Sequence, residues 1–301
     1  MILTFIKNNI RPLLLLILLS GLCFFYKIPQ HIQDRPYGQH IWRQCDGASF
    51  AWTYTHVSMN FFEPRLINVY NADAKMCPEF PIVYYVAACL NKLFGYQEAY
   101  IRIIHLTFFF IGLFALSSIV FHLTKHTLFS LIIPLLLFTS TMFVFYGPNF
   151  LPDVAAISMG FVGAYFLMQY KKTYLKRDAL FTVIAFALCG LLKPTALNLF
   201  FALAILWTFE QVFNISLSSK KIFTRSDFWI FFSVLAIVFA WYIFAIKYNS
   251  DNKSIYMQAF IIPMWKASEV PITKAFELIW QNILNNYSAI CFFILPYSHF
   301  L

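Results

Sequence analysis

The sequence predicts an all-α, polytopic membrane protein, a bundle of about seven to eight spanning helices. Three observations predict it. The 301-residue chain is 60% hydrophobic and only 12% charged, where soluble domains are about a quarter charged. Its mean hydropathy is +0.68. Its apolar residues gather into runs approaching the length of a span, separated by short loops that hold most of the lysine and arginine. The 37 phenylalanines suit lipid contact better than a tight soluble core. The net charge of +9 is first a topology signal and only then a hint of anionic partners. Nucleic acid is not expected as a partner, because basic residues are not interleaved with aromatics on a solvent face.

The chain reads as a single membrane domain. Lys7 and Arg11 precede a first apolar run, 12–27, expected as an uncleaved span because no small-x-small cleavage site follows it. A large loop, 28–98, comes next. Its segment 80–95, FPIVYYVAACLNKLFG, is short for a span and carries Lys92 near its end, so an amphipathic helix on the membrane surface is expected. Six runs follow, at 101–123, 128–146, 154–170, 180–192, 196–213 and 228–246. Residues 247–280 read as a second outer segment, with Phe260, Trp265 and Trp280 as interfacial aromatics and helical spacing over 272–283. A last run, 289–301, is a partial or final span. No internal repeat is visible.

Charge parity orients these elements. If 80–95 does not cross, the N-terminus, Lys125, the 171–177 cluster and the 219–226 cluster share the cytoplasmic side, and every basic loop obeys the positive-inside rule. If it crosses, the two strongest basic loops fall outside. The first arrangement is expected. It gathers Arg43, Asp46, Lys75, Glu79, Arg102, Asp153 and Lys193 at the outer face, leaving basic loops and the scattered acids Asp178, Glu210 and Asp227 inside.

The polar chemistry is concentrated in 40–81, which holds Arg43, Asp46, Glu63, Arg65, Asp73, Lys75 and Glu79. Asp46 lies in HIWRQCD, within two helical turns of His40, Arg43 and Gln44; it reads as a general base, a metal ligand or an ion-paired loop acid. Glu79 stands between Pro78 and Pro81; desolvation would raise its pKa unless a cation compensates, and its structural alternative is a cap for the following helix. Asp153 opens a helix and is also a candidate cap. Lys193 closes one, where the helix dipole favours a cation; a phosphate ligand is the sharper reading. Arg102 is a phosphate ligand or a snorkelling anchor. The histidines show no HExxH spacing, and no Walker loop, nucleophile elbow or dinucleotide fingerprint occurs. Six cysteines are scattered without CxxC spacing; Cys45 and Cys77 share the first loop, as a disulfide or as two free thiols.

The order of HIWRQCD, a proline-flanked EFPIVYY, FGYQEAYIR and GPNFLPDVAAISMGF over about residues 10–245 resembles the GT-C superfamily of integral-membrane glycosyltransferases. The similarity is nearest to bacterial relatives of dolichyl-phosphate-mannose–protein mannosyltransferase and of the lipid A aminoarabinose transferase. The resemblance implies a polyprenyl-phosphate sugar donor, a glycan, lipid or protein acceptor, surrounding membrane lipids and a bacterial plasma membrane. It implies Asp46 at the reaction centre, Asp153 near the cavity and Glu79 as a second acid. Arg43, Lys75, Arg102 and Lys193 are then candidates for the lipid phosphate, and His40, Gln44 and Tyr84 for substrate contact. No cofactor is required; a divalent cation is compatible with the carboxylates. Family members usually run longer, so a truncated, inactive product is one alternative. A transporter or lipid flippase is the other, disfavoured because mid-span charges are nearly absent.

Overall fold

The computed structural model describes residues 2–67, 73–215, 221–254 and 256, with positions 274, 277, 278, 280 and 281. Among these residues the architecture is all-helical, and the only β pairing is an antiparallel bridge between Arg65 and Lys75. The helices are α1 (Ile2–Phe25), α2 (Ile28–His31), α3 (Ile41–His56), α4 (Ile82–Phe94), α5 (Ala99–Thr124), α6 (Thr127–Thr139), α7 (Thr141–Tyr146), α8 (Asp153–Thr173), α9 (Lys176–Leu192), α10 (Asn198–Gln211) and α11 (Phe228–Asp251).

Among the described residues the apolar runs are helical. Two described helices are long and apolar enough to cross a bilayer, Ala99–Thr124 and the stretch Arg225–Asp251; the apolar helices Ile10–Phe25, Ile82–Phe94 and Thr127–Thr139 are shorter. The run 128–146 departs from a single helix. Pro134 lies inside α6, and Ser140 is extended at φ −64° and ψ 136°, so the run divides into α6 and α7. The short helix expected within 80–95 is α4, 13 residues long. Of the expected helix over 272–283, the five described positions are helical. Phe260, Trp265 and the run 289–301 lie outside the described residues.

Side-chain contacts sort the bundle into two ends. At one, Arg102 of α5 reaches the carbonyls of Asp34 and Pro148 at 3.0 Å, and the Phe80 N–H donates to Leu191 O at 3.1 Å. At the other, Arg11 of α1 donates to Ser118 Oγ at 3.5 Å and lies over the Phe121 ring. There too Lys171 pairs with Asp227. Helices α5 and α8 run in the same direction and approach closely in between: a Cβ on Gly112 would fall 2.4 Å from Ser158 Cβ. Such small-residue contacts let helix backbones pack without a large hydrophobic driving force.

Two helices of the first loop cover the first end. α3 and α4 run side by side in the same direction, with Phe50 stacked on Tyr84 and Asn91 Nδ2 donating to Thr55 Oγ1 at 3.1 Å. Their buried faces join Ile101 of α5, Phe150, Ala155 and Ala156 near the start of α8, and Leu192 of α9 in one apolar cluster.

Candidate functional site

The site begins at the start of α3. Gln44 is fully buried, and its Nε2 donates to the carbonyls of Tyr37 and Gln39, each at 2.7 Å. His40 adopts a left-handed backbone at φ 57°, and its Nδ1 shares a 2.7 Å hydrogen bond with the Tyr146 hydroxyl. These contacts fix the turn before the helix, so both residues act here as structural anchors. They aim Arg43 and Asp46, one turn apart, towards the loop before α4.

Arg43 bridges two carboxylates. It pairs with Glu79 and lies 3.7 Å from Asp46 Oδ2. The Tyr84 hydroxyl donates to Glu79 Oε1 at 3.0 Å. Glu79 is buried at 5% exposure. The helix cap considered for it is not formed: no side chain caps α4, whose N-cap position is Pro81. Electrostatics follow from this packing. Burial pushes the Asp46 carboxyl up to about 6; Arg43 opposes the rise and Glu79 adds to it. Burial alone would lower the Arg43 pKa, but Glu79, Tyr84 and Asp46 outweigh it and hold the guanidinium charged. Burial, then Glu79, keeps the Tyr84 phenol protonated.

Asp153 and Lys193 form a second pair. Asp153 opens α8, and Lys193 follows α9 with an extended backbone at φ −159°. They line a cavity of about 370 Å³ with Thr195, Asn198, Ile157 and Phe161. Its wall is polar near the ion pair and apolar along α8 and α10.

A clamped loop links the two pairs. Arg102 is buried at 2% exposure, donates to Pro148, Asp34 and Arg35 carbonyls, and lies between the Tyr37 and Phe150 rings. Its guanidinium is committed to holding the chain, which the sequence did not reveal. His105, one turn further along α5 and fully buried, shares a 2.6 Å hydrogen bond with Asn149 O. It lies within electrostatic reach of both Asp153 and Glu79. The loop so held leads to Asp153 and packs on α3: a Cβ on Gly47 would meet the Tyr84 ring at 3.0 Å and Phe150 O at 3.1 Å. Glycine next to Asp46 therefore lets α3, α4 and the 147–152 loop converge, and both aspartates stand at the same end of the bundle.

Lys75 is half-buried in the bridge to Arg65. Cys45 is exposed and Cys77 buried, and both are free thiols. Among the described residues no group of three or more His, Cys, Asp and Glu side chains is arranged to hold a metal ion. Sequence reasoning missed His105, Asn149, Asn249 and Tyr256. For His105 the signal was there: a second polar residue three positions after Arg102, on the same helix face. Compared with known proteins, the chain matches no family model, no curated protein and no solved structure.

Proposed function

We propose that the protein is a polytopic glycosyltransferase of the GT-C type, moving a sugar from a polyprenyl-phosphate donor to an acceptor at the non-cytoplasmic face of a bacterial plasma membrane. The observation that carries the reading is Asp46: a part-buried carboxyl held near pH 6 beside Arg43, at the end of the bundle where Lys193 and Asp153 line a cavity.

Transfer forms a bond between the acceptor oxygen and the anomeric carbon and breaks the bond from that carbon to the donor phosphate. The acceptor hydroxyl loses its proton to Asp46, whose raised pKa suits a base working near neutrality. The bonding pair leaves with the lipid phosphate, and Lys193 and Arg43 stabilise its growing charge in a water-poor site. A single displacement inverts the anomeric centre. Glu79 keeps Arg43 charged and in place, while Asp153 holds Lys193 until the phosphate competes for it. The cavity, polar at the ion pair and apolar below, suits an amphiphile entering from the bilayer.

The test uses the full chain in lipid nanodiscs with radiolabelled polyprenyl-phosphate monosaccharides and a panel of acceptors. A new glycosylated product with wild type, lost in Asp46→Asn, supports the reading. Wild-type turnover in that variant removes the assignment of the base. Vectorial lipid movement without a product would point to a transporter.

A further inference from the structure

The end of α11 carries a device that the reaction scheme above does not use. The helix stops in a chain reversal: Lys253 takes a left-handed backbone at φ 54°, its N–H donates to Ser250 O at 3.0 Å, and the Ser254 N–H donates to Asn249 O at 2.8 Å. This paired 5→2 and 6→1 pattern is the Schellman stop, usually built with glycine at the left-handed position. It turns the chain back over its own last turn. The Tyr256 N–H then donates to Ser254 Oγ at 3.2 Å.

Asn249 stands beneath that reversal with no exposed surface. Its Oδ1 accepts the Cys77 N–H at 2.8 Å, and its Nδ2 donates to Cys77 O at 2.9 Å and Tyr256 O at 3.3 Å. One side-chain amide thus mimics a strand partner for the segment leading through Pro78 to Glu79, and also anchors Tyr256. Above it, the Tyr256 hydroxyl donates to Asp46 Oδ2 at 3.3 Å, and its ring lies 5.3 Å over the Arg43 guanidinium and edge-on to Phe50.

We propose that Asn249 and Tyr256 are positioning residues for the Asp46–Arg43–Glu79 cluster: the amide fixes the Glu79 segment and Tyr256 in one register, and the phenol orients the Asp46 carboxylate. The inference rests on the transferase reading only for its effect on turnover. Among the described residues, the groups facing Asp46 are Arg43 and Cys45 on its own helix, Glu79 before α4, Tyr84 on α4 and Tyr256 beyond α11. Of these, Arg43 and Tyr256 favour the charged carboxylate: the guanidinium by its charge, the phenol by donating a hydrogen bond. Removing the phenol hydroxyl takes away one of those two supports.

The experiment is a pH titration of the Asp46 carboxyl by infrared difference spectroscopy on the full chain in nanodiscs, with Asp46→Asn identifying the band. Tyr256→Phe, which removes a single oxygen, is expected to move the midpoint upward by about one pH unit. Asn249→Ala is expected to move it in the same direction. If Asn249→Ala does not fold, Tyr256→Phe alone decides. An unmoved midpoint in Tyr256→Phe overturns the inference. Donor transfer is followed in the same samples, and the acid limb of kcat shifts with the midpoint while KM for the donor stays within about twofold. A moved midpoint without transfer by any preparation upholds the positioning role and sinks the transferase reading; transfer by wild type with an unmoved midpoint does the reverse.

Discussion

The two ends of the bundle use their carboxylates differently. At the basic end, Glu210 accepts the N–H groups of Ile222 and Phe223, at 2.9 Å and 2.8 Å from its Oε2. Asp227 pairs with Lys171 and closes a capping box with Thr224. Asp178 accepts from the Thr173 hydroxyl at 2.8 Å. Each is almost wholly buried, and each pins a loop. At the opposite end, the side chains of Asp46 and Asp153 keep 21% and 34% exposure and face cationic side chains. A buried carboxylate committed to pinning a loop is withheld from a substrate. One balanced between burial and a single arginine stays titratable near neutrality, which is the condition for moving protons.

That contrast can be broken by swapping consequences between the ends. The largest expected effect is on turnover. Asp46→Asn should lower sugar transfer by about a thousandfold while thermal unfolding in detergent changes little. A variant that lost its fold as well would make Asp46 another structural acid. Next, Asp227→Ala should destabilise the protein by about 3 kcal/mol, because Lys171 is left charged and partly buried without its partner. Unfolding midpoints of Asp227→Ala and the double variant with Lys171→Met separate lost pairing from lost packing. In the double variant most of the stability should return.

A smaller effect is expected at the cavity. Lys193→Ala should weaken donor binding by about tenfold, with Lys193→Arg retaining most of it, measured by titrating labelled donor into nanodiscs. If Lys193 only caps α9, binding should not move and the melting temperature should. The smallest effect is a pH dependence. The Asp46 carboxyl titrates higher in the folded protein than in the unfolded chain, so between about pH 4 and 6 the folded state binds the extra proton. Stability contributed by this group therefore falls as pH rises through that window. Asp46→Asn should be more stable than wild type above about pH 6, and equal to it below about pH 4.

Much of the fold was legible because it is local. The apolar runs, the short α4 and the concentration of charged residues in 40–81 follow from composition and spacing within one or two turns. The break at Ser140 was not read from the sequence, although Thr139, Ser140 and Thr141 interrupt the apolar run 128–146 there. The candidate site was legible in part. Arg43, Asp46 and Glu79 come together, as do Asp153 and Lys193. Arg102 and Gln44, chosen as ligands for substrate, instead hold backbone carbonyls, because a donor-rich side chain in a buried corner is recruited by whatever unpaired carbonyls lie there. Nothing local separates that use from phosphate binding.

By itself, the sequence determined an all-helical, apolar chain with its polar chemistry concentrated in the first long loop and at particular helix ends. Apolar periodicity and charge spacing act over a few residues, so they can be read directly. Only the tertiary structure decided which acid meets which partner: Arg43 with Glu79 across 36 positions, Lys193 with Asp153 across 40, and Tyr256 with Asp46 across 210. Those choices depend on how α3, α4, α8, α9 and α11 pack, and packing is settled by surfaces that are remote in the chain and adjacent in space.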